Sequence, residues 1–182
     1  MKRFGIITGL IISLSACTDA EEVEPKVPAA EQFKIVINEF MAANQSTLKD
    51  NAGEYDDWIE IHNTGDKAVN LGGLYISDKK ANKTKYKIPA TDPTKTTIEP
   101  GGYLILWADS HLEQGVLHLG FRLSEDGEEI GIYTAEGKTI DETTFGPQVT
   151  DISTGRLNSA TNTWTQFTRP TPGSANVGVD NP

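Results

Sequence analysis

The chain has 182 residues, 37% hydrophobic and 23% charged, and a formal net charge of −10 at pH 7. A field of that sign disfavours nucleic acid as a ligand, because phosphate backbones are gripped by basic side chains. The single cysteine, Cys17, excludes an internal disulfide, so one ordinary domain has to hold on its apolar core alone.

The N-terminus starts with Lys2 and Arg3, runs apolar from Phe4, and ends in Leu14-Ser15-Ala16-Cys17. That is the layout of a secretory signal. It is shorter than the roughly 20 apolar residues that cross a bilayer. Leu14-Ser15-Ala16-Cys17 resembles the lipobox of bacterial lipoproteins, which implies thioether lipidation of Cys17, cleavage after residues 1–16 and acylation of the new N-terminus with a palmitate-like chain. The membrane partner would be reached through Cys17. At roughly 0.8 kcal/mol per buried methylene, several chains anchor essentially permanently. The plainer alternative is a secreted protein with a chance cysteine near its cleavage site. Losing Lys2 and Arg3 with the signal takes the formal balance from −10 to −12.

Residues 17–32 are acidic, contain Ala and Pro, and offer few large apolar side chains, so they cannot offset the entropy of folding and are expected to form a flexible tether. Asp19, Glu21, Glu22 and Glu24 resemble the surface-export signals of some Gram-negative lipoproteins, which implies an outer-membrane lipoprotein displayed at the cell surface. The folded part is expected over 33–176. The end beyond it, 177–182, is expected to be disordered, with fraying from Asn176.

From Phe33 to Phe167 short apolar runs alternate with Gly, Pro, Asn, Asp and Lys clusters about every ten residues, the spacing of an all-β sandwich or barrel. Strict alternation puts Ile35, Ile37 and Glu39 on one face of a first strand and Val36, Asn38 and Phe40 on the other. Ile59 and Ile61 alternate with Trp58, Glu60 and His62 in a second. Tyr103 to Trp107 is apolar on both faces and is expected to be a central strand. Ile130, Ile132, Ile140 and Trp164 to Phe167 supply later strands. Asp126-Gly127 and Glu136-Gly137 are expected to be hairpin turns of a closing meander. No stretch after residue 33 keeps a helical period for three turns.

Ile35-Val36-Ile37-Asn38-Glu39-Phe40, Asp57-Trp58-Ile59-Glu60-Ile61-His62-Asn63, Leu74-Tyr75-Ile76-Ser77-Asp78, Pro100-Gly101-Gly102-Tyr103-Leu104, His118-Leu119-Gly120-Phe121-Arg122-Leu123 and Pro170-Thr171-Pro172-Gly173 occur in order. Together they resemble a lamin tail domain. The resemblance implies an immunoglobulin-like β-sandwich of about nine strands, without the coiled coil of nuclear lamins. Bacterial members resemble extracellular modules that usually lack an assigned activity.

Asp50, Glu54, Asp56 and Asp57 crowd one loop, and a carboxylate-rich loop can bind calcium, which takes six to eight oxygens. Their spacing fits no Asp-x-Asp-x-Asp-Gly loop, and a solvated acidic loop is the simpler reading. Asp57 and Glu60 point to opposite faces of a strand and make a poor glycosidase pair. The interval from Gly131 to Thr139 mimics a phosphate loop with the wrong spacing. His62, His111 and His118 form no local pair, and His118 is expected to tie a loop to a strand rather than to act as ligand or base. Trp107 is expected in the core, whereas Trp58 and Trp164 are candidates for a binding platform. The expectation is a non-catalytic binding or scaffolding module whose partner is another envelope protein or a polysaccharide. The rival is a metal-dependent hydrolase, or an accessory module of one, using the acidic loop and a pocket that joins Glu39, Asp57 or Glu60 to His62 or His118.

Overall fold

The computed structural model describes residues 33–158 and 162–177; Cys17, the tether and residues 178–182 lie outside them. The apolar runs become eleven strands: β1 (Ile35–Met41), β2 (Trp58–Asn63), β3 (Val69–Asn70), β4 (Tyr75–Ser77), β5 (Tyr86–Lys87), β6 (Thr97–Ile98), β7 (Tyr103–Trp107), β8 (Glu128–Tyr133), β9 (Thr139–Phe145), β10 (Ser153–Arg156) and β11 (Trp164–Phe167). One antiparallel sheet has the order β11-β10-β1-β2-β7 and a second the order β5-β4-β8-β9, with β3 and β6 as a separate two-stranded ribbon. The count exceeds the expected nine because β3, β5 and β6 are two-residue pieces. Among the described residues helix is limited to one turn at Pro93–Thr96, where Pro93 suits the first helical position, and a 3₁₀ turn at Leu112–Gln114.

The core lies between the two large sheets. Ile35, Ile37, Phe40, Ile59 and Ile61 from one face Ile76, Ile130 and Ile132 from the other, with Leu119 and Phe121 filling in from an irregular segment. Each such buried side chain contributes about 1.5–3 kcal/mol.

Strict alternation fails in β1. Ile37 opposes Ile61 and the next register pair is Glu39 with Glu60, so Asn38 is the extra residue of a β-bulge. A bulge exchanges the faces of everything beyond it. Phe40 therefore joins Ile35 and Ile37 in the core, while Glu39 stands beside Glu60 on the outer face. On the other side of β1, β10 pairs only at Glu39 and Phe40. At Ile37 side chains replace the missing strand: its N–H donates to Asp141 Oδ2 at 2.8 Å, and its carbonyl accepts from Arg156 Nε at 2.8 Å. Asp141 belongs to β9 of the second sheet, and its carboxylate pairs with Arg156 Nη2 at 2.7 and 2.8 Å. One ion pair thus joins both sheets and satisfies a buried peptide.

The expectation for Tyr103 to Trp107 is corrected, since β7 is an edge strand. Its outer face is apolar because loops cover it: Ile105 and Trp107 pack with Met41, Trp58, Leu48 and Leu117 in a second small cluster. The meander also stops early. Glu136-Gly137 does turn the β8–β9 hairpin, with Gly137 at φ +75°, but Asp126-Gly127 only leads into β8, and the chain then crosses to the first sheet for β10 and β11.

Candidate functional site

Because β1, β2 and β7 are adjacent and antiparallel, the segment joining β1 to β2 meets the segment leaving β7 at one end of the sandwich. Asn44 organises the first. Its Oδ1 accepts from Thr47 N and Oγ1, and its Nδ2 donates to the carbonyls of Leu48 and Asp56 at 2.6 and 2.8 Å. Asp151 holds the same segment from the β10 side by accepting from the N–H groups of Gln45 and Ser46 and from Ser46 Oγ. Asp50 closes a turn, with Oδ1 accepting from Ala52 N at 2.9 Å and Glu54 N at 2.8 Å.

The second segment carries Asp109 and His118, 1% and 2% exposed. Asp109 Oδ1 accepts from His111 N at 2.9 Å, and Oδ2 lies 2.5 Å from His118 Nδ1. The side chain of His118 thus joins its loop to Asp109, two residues past the end of β7, and not to a strand. Beyond that, oxygens of Asp50 and Asp109 and a ring nitrogen of His118 lie within 4.8 Å of one another, and so do one atom each of Glu54, Asp56 and His111. Gln114 Nε2 donates to Glu54 Oε2 at 2.7 Å. Three buried oxygens here have no hydrogen-bond partner: Asp50 Oδ2, Asp56 Oδ2 and Gln114 Oε1. Burial raises the pKa of Asp56, and the neighbouring charges of Asp109, Asp50 and Glu54 add to the rise, so the two groups of acids act on one another. Asp57 stands apart from them, accepting from Asn44 N, and burial lifts its carboxyl to about 6. Sequence spacing could suggest Asp50, Glu54 and Asp56 as neighbours. It could not supply Asp109, Gln114 or His118, which arrive from β7 through strand pairing.

A family model for the lamin tail domain matches residues 28–147. The chain belongs to that family. No curated protein matches it. The matched stretch ends just after β9; β10 and β11 follow it and complete the sheet on the β1 side of this lamin tail domain.

A second polar assembly lies on that sheet's outer face. Glu39 and Glu60, register partners and both 0% exposed, are covered by the segment from Pro170 to Asn176. Glu39 accepts from Ser153 Oγ and from Thr171 N and Oγ1, while Glu60 accepts from Asn38 Nδ2 and Gly173 N. Asn176 fastens the far end by donating to the carbonyls of Asn38 and Arg156 at 3.1 and 2.8 Å. The fraying expected from Asn176 is therefore corrected: its amide is tied to β1 and β10. Burial raises the pKa of both glutamates, Glu60 to about 7.

The pocket that the hydrolase reading needs is absent among the described residues. Glu39 and Glu60 lie under the strap, His118 sits with Asp109 and Asp50, and His62 stacks on Tyr103 at 4.2 Å. Asp57 precedes β2 and does not face Glu60. The interval from Gly131 to Thr139 is the β8–β9 hairpin. Trp58 is corrected as a binding candidate, because the loops over β7 bury it completely. Trp164 stays half-buried, its ring 4.7 Å from the Arg156 guanidinium. It borders a groove of about 280 Å³ whose walls include Thr144, Gln148, Thr154 and Gln166.

Proposed function

We propose that this is a lipid-anchored cell-envelope protein whose lamin tail domain is a non-catalytic binding or scaffolding module, presented at the outer membrane on the 17–32 tether. The observation that carries the binding role is the Trp164 groove, where an indole stands beside hydroxyl and amide side chains. Aromatic faces with flanking hydrogen-bonding groups suit a polysaccharide or an extended segment of another envelope protein. The non-catalytic part is supported by the two buried glutamates, whose oxygens are occupied in fastening a strap. Retention on surface polysaccharides or solubilised envelope proteins, compared between wild type and Trp164→Ala, tests the module. Loss of a saturable interaction by at least about tenfold is expected for a platform residue worth roughly 1.5 kcal/mol. Equal retention of both proteins would reject the groove.

The anchor rests on the lipobox resemblance of Leu14-Ser15-Ala16-Cys17. Cys17→Ser is expected to move the protein from the membrane pellet to the soluble fraction and to abolish metabolic labelling with palmitate. A variant that stays in the pellet and keeps the label would refute lipidation at Cys17.

A further inference from the structure

We propose that the loop end between β1, β2 and β7 binds one hard divalent cation of the calcium type, with Asp50 and Asp109 as its buried carboxylate ligands, water completing the shell, and His118 positioning Asp109. The inference is independent of the lipid anchor and of the Trp164 groove.

Three observations meet at this place. Asp50 is 8% exposed and Asp109 1% exposed, and an oxygen of each lies within 4.8 Å of the other and of a His118 ring nitrogen. Asp50 Oδ1 is occupied by two backbone N–H groups, whereas Oδ2 is buried without a partner. Asp56 Oδ2 and Gln114 Oε1 are likewise buried and unpartnered. A buried acceptor without a donor costs about 1–3 kcal/mol, and more when it is charged. Asp50 Oδ2 is such an acceptor, and a cation held between Asp50 and Asp109 would satisfy it. Among the described residues, the ion pairs made by Asp50, Glu54, Asp56 and Asp109 are with His111 and His118, not with Lys or Arg.

The donor chemistry selects the class of ion. The unpartnered atom that Asp50 offers is a carboxylate oxygen, as calcium prefers. Zinc or copper would call on imidazole nitrogen; the Nδ1 atoms of His118 and His111 are engaged with Asp109 Oδ2 and with Gln114 Nε2 and Glu54 Oε2, so such an ion would have to use Nε2, which the zinc arm of the test reads. His118 is thus a positioning residue, holding the carboxylate as outer partners commonly hold metal ligands. Asp57, suggested by sequence alone, is left out because its carboxylate turns toward the Asn44 peptide.

The test is calorimetric titration and thermal melting of the chelator-treated full chain in detergent with calcium, magnesium, manganese and zinc chlorides. Expected is one calcium per chain, with a melting temperature about 5–10 °C higher at a hundredfold excess over Kd. Asp50→Asn keeps the turn-closing oxygen and removes the charge; it should weaken calcium binding at least about tenfold. Asp66→Asn, an exposed acid on another loop, should bind as the wild type does. Zinc binding that saturates without calcium binding, and is lost in His118→Ala, would overturn the oxygen assignment. Identical melts with calcium and with chelator, or equal affinities for Asp50→Asn and Asp66→Asn, would overturn the site.

Discussion

Arg156→Met is expected to destabilise the protein by about 3–5 kcal/mol, roughly 10 °C in Tm for a domain of this size. Arg156 is 5% exposed and the Ile37 peptide that it serves is fully buried, while the Asp141 side chain keeps 18% exposure, so the deletion strands partners that water reaches only in part. Asp141 would keep a half-buried charge with Ile37 N as its backbone donor, and the Ile37 carbonyl would lose the Nε–H that serves it. The guanidinium also lies under the Trp164 ring and donates Nη1 to Asn162 Oδ1 at 2.8 Å, so the loss reaches the β10–β11 turn. Asp141→Asn should cost less, since the amide can still accept the Ile37 N–H. The Arg156→Met/Asp141→Asn double variant should be more stable than the sum of the two losses predicts, because neither charge then remains unpaired. Denaturant titration of the four proteins checks this. A loss below about 1 kcal/mol for Arg156→Met would place the pair among exposed ion pairs of little worth and remove it as the joint between the sheets.

That joint is also where the sequence stops being readable. Period-two alternation correctly assigns Ile59 and Ile61 to the core, because β2 runs without interruption. In β1 the inserted Asn38 inverts the pattern, and no propensity distinguishes a bulged Asn from a paired one. Continuous apolarity in Tyr103 to Trp107 looks like a central strand, yet what it records is burial on both faces, and loops around Leu48 and Leu117 bury an edge strand just as well as neighbouring strands would. Trp58 was ambiguous for the same reason. At the candidate cation site, the acids of the β1–β2 loop are visible as a run, but Asp109 and His118 become their neighbours only once β2 has paired with β7. Pro170-Thr171-Pro172-Gly173 could be recognised as part of the family pattern. Its reason, two buried glutamates that need the N–H groups of Thr171 and Gly173, depends on the bulge and so could not be seen beforehand.

Those glutamates give the second large effect, a stability that rises on mild acidification. Like charges placed directly opposite in a sheet repel, and neither Glu39 nor Glu60 has contact with solvent. Desolvation is the chief cause of both raised pKa values, with the nearby charge of Glu39 adding to that of Glu60. Between the ordinary carboxyl value of 4.5 and about 7, the folded protein holds a proton on Glu60 that the unfolded chain has released. Folding is therefore linked to proton uptake. The contribution is fully present below about 4.5 and is lost as pH rises through about 7, an effect of up to roughly 3 kcal/mol. His62, whose pKa burial lowers below 6.5, works in the opposite direction, so the comparison has to be made against a variant and not against a single curve. Glu60→Gln removes the titrating group. Wild type minus Glu60→Gln stability, measured by denaturant melts from pH 5 to 8, should fall as pH rises, steepest midway between 4.5 and about 7 and levelling off above that value. Hydrogen exchange at Gly173, referenced to unstructured peptide at each pH, should show the strap loosening in parallel. Gly155→Ala offers an independent way to lift the strap, since an added Cβ would lie 2.5 Å from Asn176 Nδ2 and 3.1 Å from the Asn38 carbonyl. Freed of its cover, Glu60 would be hydrated and its pKa would return toward 4.5, and the pH slope of Gly155→Ala should flatten although no titratable group has been touched. A slope unchanged in both variants would mean that the proton resides elsewhere and that the strap is held without it.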